Sequence, residues 1–185
     1  ATVSNWFYLG KFEVTNRQYA CFDPGHDSGY IDGRGKDRIS RGTPIHGPQQ
    51  PVVRVSWNRA SEFCAWLSAR TGRTVELPRE EEWEYACRAG TATPWNFGVL
   101  DPKGAALANF ADERLRRWGW GRIEEGYDDG TMFTADVGRY PANAWGLHDL
   151  HGNVAEWTAS PAPEEDGARV VRGGSWNDTA RHARS

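Results

Sequence analysis

No stretch of the 185-residue chain gathers the roughly 18 consecutive apolar residues that a membrane-spanning helix needs. No signal peptide opens it either. Membrane insertion is therefore not expected; the chain starts abruptly at ATVSNWFYLG, and its compartment stays open, secreted or periplasmic if a leader has been removed. A basic surplus is also missing. Charged residues make up 25% and the formal net charge is −3, so nothing in the balance attracts nucleic acid or an anionic membrane. Cysteine is scarce: Cys21, Cys64 and Cys87 allow at most one internal disulfide and match no C-x-x-C metal spacing. Cys64 falls in an apolar helical stripe and reads as a buried free thiol. There is no G-x-S-x-G elbow, P-loop or Rossmann fingerprint. Repeats and low-complexity tracts are absent too, and the length suits one domain over residues 1–185.

What the chain does have is ten Trp and 21 Gly. Aromatic bulk builds a core from few residues while glycine lets the backbone turn tightly around it, so a loop-rich fold is expected. The mean hydropathy of −0.72 agrees. FYLGKFEV reads as a strand, followed by a short helix over 16–22 with Thr15 as N-cap. Residues 23–50 form a long loop, expected to be ordered against the domain through Phe22, Tyr30 and Ile31. PVVRVSW is a short strand that hands over to the best helix, capped by Ser56. Its apolar residues Ala60, Phe63, Cys64 and Leu67 recur at helical spacing, and Gly72 stops it. After a strand at TVELP comes a second helix, with Glu80, Glu81 and Glu82 at its positive end and Gly90 closing it. From 91 to 139 the pattern dissolves, and strand-like pieces return at WGLHDL, AEWTA and RVVRGGSW. Two helices in front and short strands behind argue an α+β fold.

One stretch fits neither period. In GLHDLHGNVAEWT the acids and the amide are too closely spaced for a helix face and too irregular for strand alternation. Asp149, Asn153 and Glu156 bring side-chain oxygens and the turn at Gly152 brings carbonyls, which is the mixture of hard donors that calcium takes. An Asn/Gly turn with solvated acids is the plainer alternative. A second candidate combines Asn109 and Phe110 with Asp128, Asp129 and Thr131, where Asp-Gly is also an ordinary turn signal. His148 and His151 lie three apart, but zinc or non-heme iron needs a third ligand that the scattered His26, His46 and His182 do not obviously supply. Arg172 precedes a Gly-Gly pair that suits either a ligand or a tight turn.

Read together, FYLGKFEVTNRQYACF, PVVRVSWNRASEFCAWLSARTG, VELPREEEWEYACRAG, ANFAD, VGRYPANAWGLHDLHGNVAEWT and RVVRGGSW resemble the formylglycine-generating enzyme family, also called sulfatase-modifying factors. The resemblance implies a fold related to C-type lectins, with two calcium ions holding the loops. By position it places the first ion on Asn109, the Phe110 carbonyl, Asp129 and the Thr131 carbonyl. The second falls on Asp149, the carbonyls of Leu150, Gly152 and Val154, and the Glu156 carboxylate. Family members that generate formylglycine oxidise a cysteine of a C-x-P-x-R motif in sulfatases with oxygen and copper, and hold the copper on two cysteines. Those positions here are Asp178 and Ala183, neither of which supplies a thiolate, so copper is not expected. The resemblance also gives Cys87 a disulfide partner in a segment beyond Ser185, and implies a domain trimmed at its C-terminus. The expectation is a non-catalytic, calcium-stabilised module that binds a protein or peptide. The alternative is an oxidoreductase of the family acting on a cysteine in sulfatases or on another thiol.

Overall fold

The computed structural model describes residues 3, 6–32, 37–38, 41–116, 118–119, 121–163 and 165–185. Local chemistry accounts for the helices. In α1 (Asn16–Tyr19) Thr15 Oγ1 accepts from the Gln18 amide at 3.2 Å and the Gln18 side chain answers on the Thr15 amide at 2.9 Å. The helix is shorter than expected: it stops at Tyr19, and the amides of Phe22 and Asp23 turn back onto the Tyr19 carbonyl. In α2 (Trp57–Thr71) Ser56 caps the start and Gly72, at φ 67°, ends it, as the sequence indicates. α3 (Glu80–Arg88) takes its start from two directions. The Glu82 carboxylate accepts from the Arg79 amide at 2.9 Å, and Ser160 Oγ accepts from the Glu80 amide at 3.0 Å. Its left-handed closing residue is Ala89, with Gly90 following at φ 91°.

The strands are few. β1 (Tyr30–Ile31) pairs antiparallel with β2 (Asp37–Arg38) on one side and β3 (Thr43–Pro44) on the other. This small sheet lies inside the 23–50 segment and orders its described part. Ile31 and Ile45 join the core of Ala111, Leu115 and Phe133, while the Asn16 amide gathers the carbonyls of Ile45, Gly47, Gln50 and Pro51. Leu115 comes from α4 (Glu113–Arg116), a single turn. The second sheet is the antiparallel pair β4 (Glu156–Pro161) and β5 (Arg169–Arg172), with Glu156 opposite Arg172.

Four expected strands do not form ladders. FYLGKFEV and PVVRVSW are joined, among the described residues, by the bridge pair Thr15–Pro51 and the Val52 amide on the Val14 carbonyl at 2.8 Å. At TVELP, Ser68 Oγ takes the place of a partner strand, accepting from the Val75 amide at 2.8 Å. WGLHDL is a turn wound round Asn143, whose Oδ1 accepts from the amides of Trp145 and Leu147. Backbone groups that lack a neighbouring strand have bonded to side chains instead. Beneath this, Trp83 and Cys87 of α3 pack with Leu150, and Ala108, Phe110 and Tyr127 pack with Ala180 and Ala183 of a terminal 3₁₀ turn (Ala180–Ala183).

Candidate metal centre

The 146–156 loop owes its shape to four left-handed residues, Gly146 (φ 80°), Asp149 (φ 60°), Gly152 (φ 80°) and Asn153 (φ 58°). Gly152 is required: a Cβ there would collide with the Asn109 carbonyl, because residues 109 and 152 form a parallel bridge pair. That contact sets the two sequence candidates side by side. A Cβ placed on Gly173 would lie 3.6 Å from the Leu150 carbonyl oxygen and 3.9 Å from that of Val154, so both oxygens border that glycine. Glu156 joins them from the start of β4, accepting from the Trp83 indole at 3.0 Å. Asp149 uses one oxygen to accept from the Gly138 amide at 2.6 Å, and its Oδ1 is buried with no partner among the described residues.

The other candidate is built the same way. Asn109 is wholly buried; its NH2 donates to the Phe133 carbonyl and to Asn153 Oδ1, and its own Oδ1 has no partner among the described residues. Asp129 accepts from the amides of Phe110 and Thr131, and from the Tyr140 hydroxyl at 3.2 Å. Asp128, included on sequence grounds, is not part of it: it is exposed and pairs with Arg114 at 2.6 Å.

Burial dominates the electrostatics. It pushes Asp129 up to about 7, helped by the neighbouring Asp112, and Glu156 up to about 7, opposed by the Trp83 hydrogen bond. Asp149 is raised by burial as well. Two acids escaped the sequence reading. Asp112 accepts from the Asp129 amide at 2.9 Å. Glu13 is buried against the loop, accepting from the Asn153 NH2 at 2.7 Å and the Val154 amide at 3.2 Å. Burial first, then Asp149 and Glu156, raise its pKa. The one sequence signal for Glu13 was an acid set between Phe12 and Val14 in an apolar stretch.

Hard cations fit this arrangement. Two buried oxygens without partners among the described residues, and carboxylates that burial holds above their usual range, are what a divalent cation relieves. Among the described residues no three His, Cys, Asp or Glu side chains converge as a metal centre, so such an ion would draw mainly on carbonyl and amide oxygens.

The histidines serve elsewhere. His148 Nδ1 meets the Tyr140 carbonyl at 2.8 Å. His151 Nε2 accepts from the Asn96 amide at 3.1 Å, which puts the ring proton on Nδ1, donating to the Ala183 carbonyl at 2.6 Å. Burial lowers its pKa to about 4 and pushes that of the nearby Cys87 up to about 12, so the pair is imidazole and thiol, with no thiolate. At the two positions that the resemblance assigns to copper stand a carboxylate and a methyl. Asp178 accepts from Ser175 Oγ at 2.8 Å, and Ala183 is fully buried against Gly174. All three cysteines are free; Cys21 is exposed, and Cys64 and Cys87 sit on different helices.

The sulfatase-modifying factor enzyme 1-like domain family matches residues 1–185. The inactive C-alpha-formylglycine-generating enzyme 2 of Mus musculus is 42% identical over 134 residues, which cover 70% of this chain and 39% of that protein. The formylglycine-generating enzyme of Thermomonospora curvata is 35% identical over 230 residues, covering 92% of this chain and 71% of that one. The chain thus spans about two fifths of the length of the mammalian relatives it matches. Among solved structures, PvdO from Pseudomonas aeruginosa superposes with a TM-score of 0.66 at 28% identity, covering 95% of this chain and 72% of that one. CarF superposes at 0.63 with 23% identity over 95% of this chain and 77% of that one, a likeness of fold.

Proposed function

This chain belongs to the sulfatase-modifying factor enzyme 1-like family, and from that premise we propose that it is a non-catalytic, calcium-braced module that binds a protein or peptide. The observation that carries the reading is the pair Asp178 and Ala183. One oxygen of the Asp178 carboxylate accepts from Ser175, and the Ala183 methyl is fully buried, so near Gly174 that a Cβ on that glycine would lie 2.9 Å from it. The similarity to relatives named inactive formylglycine-generating enzyme 2 points the same way.

Calcium would be held by Asn109, Asp129 and the carbonyls of Phe110 and Thr131, and by Asp149, Glu156 and the carbonyls of Leu150, Gly152 and Val154. When bound, its charge offsets the cost of ionised carboxylates in a buried site. For the partner, Trp6, Tyr8, Tyr85 and Trp145 are exposed around an open groove of about 480 Å³, a size that receives apolar side chains of a peptide.

The discriminating experiment incubates the chain with a C-x-P-x-R peptide, oxygen and copper, and weighs the peptide. No change of mass is expected. A loss of about 18 Da that depends on oxygen and on this protein would instead establish the oxidoreductase. That alternative draws on relatives named formylglycine-generating enzyme at 35% identity.

A further inference from the structure

We infer that Glu13 is a positioning residue for both cation sites: it fixes the Asn153 amide, Asn153 fixes the Asn109 amide, and Asn109 thereby presents its Oδ1 to the first site. This rests on the calcium reading above and goes beyond it, because it makes a ligand's orientation depend on a carboxylate from the far end of the chain.

Backbone groups show which end of each amide is oxygen, and the side-chain ties among Glu13, Asn153 and Asn109 hold those ends in place. The Ala135 amide lies 2.8 Å from one terminal atom of Asn153, and a backbone N–H only donates, so that atom is oxygen. The other is the NH2, and it donates to Glu13 Oε2 at 2.7 Å. The Phe133 carbonyl only accepts and lies 2.6 Å from Asn109, so nitrogen faces it. The same NH2 donates to Asn153 Oδ1 at 3.1 Å. What remains is Asn109 Oδ1, buried and partnerless among the described residues. Meanwhile Glu13 Oε1 accepts from the Val154 amide, holding the residue whose carbonyl serves the second site.

Glu13→Gln breaks this order without changing size. One terminal atom must still accept from the Val154 amide, so the other becomes a donor facing the Asn153 donor. Asn153 cannot turn over in reply, since its NH2 would then meet the Ala135 amide and the Asn109 NH2. The strain reaches Asn109, and a ligand of the first site loses its aim.

The test uses the chain with europium(III) in place of calcium, where luminescence lifetimes in H2O and D2O count the waters on each ion. Calcium affinity is read by calorimetry, and Asp129→Asn identifies the first site. Loss of an outer-sphere partner of a ligand typically costs 10–100-fold in affinity, so Glu13→Gln should weaken the first site about tenfold or more and add about one water there. It should weaken the second site as well, whereas Glu156→Gln should weaken the second alone. First-site affinity and hydration unchanged by Glu13→Gln would overturn the inference. Absence of any ion on the unsubstituted chain would instead overturn the calcium reading. The tie itself is then read directly, as it is if Glu13→Gln does not fold. In the unsubstituted chain the side-chain amide protons of Asn153 should exchange as slowly as core backbone amides, and rapid exchange would refute it.

Discussion

His151 is held by fixed backbone groups on both sides of its ring, and that gives one residue control over part of the acid response. Protonating Nε2 would set an N–H against the Asn96 N–H that it now accepts. Its folded pKa of about 4 lies below the ordinary 6.5, so between those values the unfolded chain binds more protons. Stability from this residue is fully present above pH 6.5 and is lost as the pH falls toward 4, by roughly 3 kcal/mol in all. The raised carboxylates Glu13, Asp149 and Glu156 act in the opposite sense over an overlapping window, which makes comparison with a variant necessary. Urea unfolding at pH 7 and pH 4.5 should show a smaller loss for His151→Gln than for the unsubstituted chain. Equal losses would mean that His151 is not held neutral.

Among the elements, α2 and the segment after it are joined by one hydroxyl. Ser68 Oγ accepts from the Val75 amide and reaches the Cys64 carbonyl at 2.9 Å, so a helix side chain substitutes for a strand. Ser68→Ala leaves a part-buried N–H unsatisfied and should cost about 1–3 kcal/mol in denaturant unfolding. It should leave calcium affinity unchanged. This joint also explains what sequence can and cannot reveal. The two main helices were legible because Ser56, Gly72 and the acids at 80–82 act on their own neighbours. TVELP was misread because alternation tells which face is apolar but not whether a second strand is there to pair. The 149–156 stretch stood out in the sequence because Asp149, Gly152, Asn153 and Glu156 crowd together, while the ligand sets proposed for calcium came from the family resemblance. Glu13 was not, because its partner Asn153 is 140 residues away.

At the scale of the whole molecule, little regular structure is present, and long-range side-chain ties do the joining. A cation bound only by the native state should raise the melting temperature of chelator-stripped protein, adding about 2.7 kcal/mol at a concentration 100 times its dissociation constant. No shift at millimolar calcium would sink the proposal. The Asn109–Asn153 tie has a consequence in time as well. It closes over 44 residues, and the Glu13–Asn153 tie over 140, so both contacts demand the loss of much chain entropy before they return anything. Such contacts are expected to form late, after the capped helices, and the proposed ion sites depend on them. Calcium should therefore leave the refolding rate nearly as it was and slow unfolding, since stabilisation that arises after the transition state appears on the unfolding limb. Stopped-flow measurements with and without calcium would separate the limbs. The ion would then act as a latch on a finished structure, setting how long the fold lasts rather than how fast it is reached.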